Sequence, residues 1–167
     1  MALRGEASPR AELRIQLLRD PHVLLACGLG IGLVRAAPGT FGSVFGVAIA
    51  AALLGAPMAL RIVAGIGLVS AGFLVCGAAA RRIGMRDHPG IVIDEIAAMY
   101  VVLLAVPPSL PLWTLAFGLF RLFDIWKPWP IRDLDHRLSG SPGIMLDDLA
   151  AAVYAAILAA VGAWLMS

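Results

Sequence analysis

Five carboxylates in this chain stand where chemistry is the natural reason for their presence: Asp94, Glu95, Asp124, Asp147 and Asp148. Asp94 and Glu95 close the run Asp87-His88-Pro89-Gly90-Ile91-Val92-Ile93-Asp94-Glu95, about one turn into an expected apolar helix. A carboxylate at the bilayer centre costs about 2.5–3.5 kcal/mol on insertion scales, so an adjacent pair near the interface calls for a metal ion or a cation. A solvated helix end is the plainer alternative. Asp124 lies in Phe120-Arg121-Leu122-Phe123-Asp124-Ile125-Trp126-Lys127-Pro128. Arg121, Asp124 and Lys127 are spaced three apart, which predicts one shared helix face. An acid between two cations suits a phosphomonoester, with the acid on a metal and the cations on phosphate oxygens. The alternative is an ion-pair ladder beside a tryptophan belt. Asp147 and Asp148, after Gly143-Ile144-Met145-Leu146, are expected to open the last apolar helix, as ligands to a hard cation or as caps that complement the helix dipole. His88 is a candidate general acid or base, or an ordinary loop residue.

An anion site is suggested upstream. Gly28-Leu29-Gly30-Ile31-Gly32 is followed by Pro38-Gly39-Thr40-Phe41-Gly42-Ser43, just before an apolar helix. Thr40 and Ser43 are expected as N-caps, and free amides with the helix dipole would suit phosphate. Glycine used for close helix packing is the competing reading. A dinucleotide fingerprint is disfavoured: no strand precedes the glycines and no acid follows about 20 residues on. Five converging carboxylates repel one another unless a divalent cation compensates them, and an all-oxygen shell suits Mg²⁺. Cys27 and Cys76 lie in apolar stretches without a CxxC or Cys/His cluster, so they read as buried free thiols rather than as a zinc site.

The elements that must position these groups are apolar. The chain is 60% hydrophobic and 14% charged, with mean hydropathy +0.90, against about 45–50% and about 25% in soluble domains. The excess falls in blocks: Val44 to Leu60, Ile62 to Ala80, Ile91 to Val106, Leu112 to Phe123 and Met145 to Met166. A spanning helix needs about 17–25 residues, which the second and fifth blocks supply and the first nearly does. The third and fourth are short and fit a partly embedded hairpin. The expectation is an all-α integral membrane bundle with about three to five embedded helices. Residues 1–21 would form an N-terminal cytoplasmic or interfacial extension, beginning a short helix at Ser8-Pro9, and 22–167 the membrane domain. The charged lead does not read as a signal peptide.

If each block crosses once from a cytoplasmic N-terminus, every basic residue except Arg61 falls on one side, and the acids gather there too. That asymmetry predicts a site at the cytoplasmic face. A net charge of +2 with interleaved signs gives no case for nucleic acid. A small transporter or channel with a polar mouth is the alternative class, but it would spread ionisable groups through the membrane depth or onto both faces.

These runs, in this order over about residues 28 to 150, resemble the serial motifs of the phosphatidylglycerophosphatase A family. Two departures stand out: Ala98 where a glycine is common, and Arg35 before Pro38-Gly39-Thr40. Neither removes a candidate ligand. Asp133-Leu134-Asp135 has haloacid-dehalogenase spacing but no preceding strand, and the motifs of phosphohistidine and CDP-alcohol enzymes are missing. The resemblance implies a bacterial, multi-pass inner-membrane enzyme of α-helical fold that uses Mg²⁺ to hydrolyse phosphatidylglycerophosphate to phosphatidylglycerol and phosphate. Site residues expected on all these grounds are Asp94, Glu95, Asp124, Asp147 and Asp148 for metal. Asp94, Glu95, His88 and Lys127 are expected for catalysis, and Thr40, Ser43, Arg121 and Lys127 for substrate.

Overall fold

The computed structural model describes residues 13, 17, 19–85, 88–138 and 140–165. Among them every regular element is helical: α1 (Pro21–Ala26), a 3₁₀ segment (Gly28–Leu33), α2 (Pro38–Ala52), α3 (Met58–Ile83), α4 (Ile93–Leu104), α5 (Leu110–Trp126), α6 (Ile131–Arg137) and α7 (Ser141–Leu165). The expected helix start at Ser8-Pro9, the loop residues Arg86, Asp87 and Ser139, and Met166 at the end of the last block lie outside the described residues.

Helix α3 has 26 residues, about 39 Å at 1.5 Å per residue, and α7 has 25. Each exceeds the roughly 30 Å of a bilayer core, and these are the two described helices long and apolar enough to cross one. Their outward faces leave Val63, Ile66, Leu74, Ile157 and Trp164 exposed, an apolar surface suited to lipid rather than water. Arg81 and Arg82 occupy the last turn of α3, where cations complement the dipole, and Gly84 ends it in the left-handed region at φ 79°.

Several boundaries differ from the sequence expectation. Helix α2 begins at Pro38 rather than Val44 and ends at Ala52 rather than Leu60, and α5 begins at Leu110 with Pro111 in its first turn. Proline's fixed φ suits that position, and its missing N–H is not needed there. Helix α7 likewise starts at Ser141, with Pro142 next, rather than at Met145. The stretch between α5 and α7 contains the short helix α6.

Helix α4, the first of the two short helices expected as a partly embedded hairpin, lies inside the bundle. It is the central helix, packed by α2, α3 and α7, with Ile96, Ala97, Ala98, Met99, Tyr100, Val102 and Leu103 fully buried. A glycine stripe lets α2 approach it: a Cβ at Gly46 would lie 2.6 Å from the Ile96 carbonyl oxygen, and one at Gly42 would lie 3.0 Å from Val92 Cβ. The Tyr100 hydroxyl donates to the Arg61 carbonyl at 2.9 Å, fixing α4 against α3.

Helices α3 and α7 run antiparallel, since Gly72 faces Met145 while Gly77 N–H donates to Ser141 Oγ at 2.7 Å. Asp20 accepts from His22 N–H at 2.9 Å and pairs with Arg82 Nε at 2.8 Å, which ties the start of α1 to the end of α3. Leu13 and Leu17 are buried with Val23, Cys27 and Met145 in the same apolar cluster.

Candidate metal and phosphate site

Where α3 ends and α7 begins, α4 also starts and α5 also ends, so the polar residues of four helix ends come together. Asp94 and Glu95 stand in the first turn of α4, where the dipole favours carboxylates. Because α7 starts at Ser141, Asp147 and Asp148 lie about two turns inside it. They are not caps: they are buried side chains aimed into the bundle.

One oxygen each from Asp94, Glu95 and Asp148 lies within 4.8 Å of the others. Asp124, at the end of α5, faces both Glu95 and Asp148 and lines the same cavity. Two like unit charges about 4 Å apart repel by roughly 4 kcal/mol at an effective dielectric of 20. Glu95 Oε2 and Asp148 Oδ2 are buried and accept no hydrogen bond from the described residues. Buried acceptors without donors are unfavourable unless something cationic occupies the space between them. An all-oxygen donor set of this kind fits a hard divalent ion, and the buried cysteines are no part of it.

A cavity of about 140 Å³ opens beside the cluster, lined by all five carboxylates and Lys127, with Gly140 and Gly143 in its wall. Lys127 ends α5 in the left-handed region at φ 46°, ahead of Pro128, which disfavours a helical residue before it. The turn takes Lys127 off the face it was expected to share. Its Nζ lies 2.7 Å from Asp147 Oδ2, whereas Arg121 Nη1 takes Asp124 Oδ2 at 2.6 Å.

Arg121 does not line the cavity. It stands behind Asp124 and donates to Ser43 Oγ at 3.3 Å, and Ser43 in turn donates to the Gly39 carbonyl at 3.0 Å. Ser43 is therefore a buried residue inside α2 and not an N-cap. That position belongs to Ala37, and Thr40 sits in the first turn with its amide on the Ala37 carbonyl at 2.9 Å. The displacement follows from the earlier start of α2 at Pro38. Neither Thr40 nor Ser43 reaches the carboxylate cavity.

His88 also lies elsewhere. It is buried, its Nδ1 accepts from Gly90 N–H at 2.9 Å, and it lines a separate cavity of about 120 Å³ with Arg35 and Leu13. The glycines of the 3₁₀ segment are used for approach: a Cβ at Gly32 would fall on the Gly90 carbonyl. Sequence reasoning missed the part played by Gly39, where a Cβ would collide with Glu95 Oε1. The signal available was a glycine inside a helix start rich in other glycines.

The sequence pattern of the family Phosphatidylglycerophosphatase A matches residues 24–163. The chain is 42% identical over 158 residues to the Phosphatidylglycerophosphatase A of Haemophilus influenzae, covering 92% of this chain and 95% of that protein. It is 37% identical over 140 residues to the protein of the same name from Escherichia coli, covering 83% and 81%. No solved structure matches the chain.

Proposed function

The chain belongs to the phosphatidylglycerophosphatase A family and is a phosphatase acting on a phosphomonoester, and on that premise we propose that it hydrolyses phosphatidylglycerophosphate to phosphatidylglycerol and phosphate with Mg²⁺ in phospholipid synthesis. The observation that carries this reading is the meeting of Asp94, Glu95 and Asp148 within 4.8 Å, next to a cavity that Lys127 enters.

Asp94, Glu95 and Asp148 would hold the ion, with Asp124 and Asp147 completing the acidic wall. When bound, Mg²⁺ supplies positive charge to phosphoryl oxygens and favours ionisation of water as a nucleophile. Lys127 is the cation in the cavity itself, placed to stabilise charge on the transferring phosphoryl group. Arg121 acts one layer further out, fixing the Asp124 carboxylate and offsetting negative charge near Glu95. His88, in the adjoining cavity, is the one expected catalytic residue that this reading places away from the carboxylates.

The bilayer would hold the acyl chains while the headgroup meets the site. Helices α3 and α7 would span it, with the shorter α2, α4 and α5 embedded to bring the total to three to five, in a bacterial inner membrane with the site facing the cytoplasm. Support comes from the one-sided basic residues and from the antiparallel course of α3 and α7, which puts Arg81, Arg82 and the carboxylates at one end. A transporter would need ionisable groups along its depth.

The deciding experiment is phosphate release from phosphatidylglycerophosphate in mixed micelles by purified protein, with Mg²⁺ and with chelator. Release that requires Mg²⁺ is expected. Absence of release with Mg²⁺ present would reject the assignment.

A further inference from the structure

The substrate named above carries two phosphates: the terminal monoester that is cleaved and an internal diester one glycerol unit away. The carboxylate cavity accounts for the first. Beside it lies a second cavity of about 360 Å³, and Lys127 lines both. Its other walls are Trp126, Pro128, Trp129, Arg132 and Asp133.

Three properties of this second cavity fit the remainder of the lipid. Trp126 and Trp129 are 68% and 78% exposed, and amphipathic indole rings favour the boundary between acyl chains and water. Leu122 and Ile125, on the turn of α5 leading there, are exposed as well, so the apolar outer face of the bundle runs up to the cavity mouth. Arg132 is exposed and makes no ion pair among the described residues, while its neighbour Asp133 is 3.7 Å from Arg137. A guanidinium without an ion pair among the described residues, beside tryptophan at an apolar rim, offers the planar donor fork that phosphate diesters accept. The cavity around His88 is the poorer choice, because the tryptophans are not part of it.

We propose that Trp126, Trp129 and Arg132 form a subsite for the glycerol phosphodiester of the lipid, with Arg132 binding the diester anion while Lys127 meets the monoester next door. The subsite rests on the function proposed above and deepens it: it selects a lipid bearing a phosphodiester next to the reacting monoester. The lipid enters sideways from the bilayer past the two indoles.

The test is steady-state kinetics of the full-length protein on phosphatidylglycerophosphate in mixed micelles. Arg132→Ala is expected to raise KM about tenfold, as loss of a hydrogen bond to a charged group does, and to leave kcat unchanged. Arg132→Lys should recover part of the loss. Arg137→Ala removes another exposed cation from the same helix outside the cavity and should leave KM at the wild-type value. A wild-type KM in Arg132→Ala overturns the subsite, and so does an equal rise in Arg137→Ala, which would mean general attraction to an anionic surface. Wild-type protein that releases no phosphate would instead remove the proposed function, and this inference with it.

Discussion

Lys127 and Asp147 meet across the junction of α5 and α7, Nζ to Oδ2 at 2.7 Å, although Asp124 lies only three residues from Lys127 and pairs with Arg121 instead. The left-handed turn at Lys127 decides this. It turns a local ion-pair ladder into a link between two helices at the mouth of the carboxylate cavity.

Lys127→Ala should therefore have two effects. Loss of the ammonium from the cavity should lower kcat/KM about 10²-fold or more. Asp147, 6% exposed, would also lose this ion pair, and breaking a buried pair from one side costs about 3–5 kcal/mol. Since Lys127 keeps 25% of its side chain exposed, the lower end is expected. The double variant Lys127→Ala/Asp147→Asn should regain thermal stability without regaining turnover. Recovery of kcat/KM in the double variant would show that Lys127 only neutralises Asp147.

Asp94→Asn, Glu95→Gln and Asp148→Asn should each abolish turnover while leaving folded protein. Because the three carboxylates crowd one point, removing one should raise the metal-free melting temperature. The further rise that Mg²⁺ produces by binding the native state should shrink or vanish. Thermal unfolding with and without Mg²⁺ reads both. A variant that keeps the wild-type Mg²⁺ response is not a ligand substitution.

Two glycine substitutions should separate structure from site. At Gly32 an added Cβ meets the Gly90 carbonyl, which is backbone and cannot step aside, so Gly32→Ala should destabilise by about 1–3 kcal/mol. At Gly39 the obstacle is the Glu95 carboxylate, the free end of a side chain. Gly39→Ala should thus melt close to wild type yet lose activity by displacing Glu95. Normal turnover in Gly39→Ala would show that the position of that carboxylate is not critical.

Topology is testable on described, exposed positions. Arg81→Cys and His136→Cys should react with an impermeant maleimide from the cytoplasmic side of sealed vesicles, and Met58→Cys from the other side. Labelling of Arg81→Cys and His136→Cys from opposite sides would contradict a single polar end.

Cys27 provides a chemical check on packing. It is fully buried at the junction of α1 and the 3₁₀ segment, and burial pushes its thiol up to about 11. The thiolate fraction at neutral pH is therefore very small, and the native protein should resist alkylation at Cys27 until pH approaches that value or the chain unfolds. Rapid modification at pH 7 would mean that this junction is open.

The helical class, the two long apolar spans and the carboxylates that meet were all legible in the sequence, because hydropathy, length and misplaced charge are properties of the chain alone. Asp94, Glu95 and Asp148 stand out because ionised groups in apolar runs need compensation wherever the chain goes. Partnership was not legible. Spacing alone puts Lys127 beside Asp124, and one left-handed residue before Pro128 sends it to Asp147 instead. Ser43 looked like a cap, but prolines in first turns moved the start of α2 to Pro38 and left Ser43 bonded to Arg121 inside the bundle. His88 shares a motif with Asp94 and Glu95, yet the chain between them turns into α4 and leaves the imidazole in another cavity. Sequence determines which groups must find partners, since burying charge is costly for any fold. Tertiary structure determines which partners they find, since that depends on side-chain direction and on backbone turns set by helices far apart in the chain.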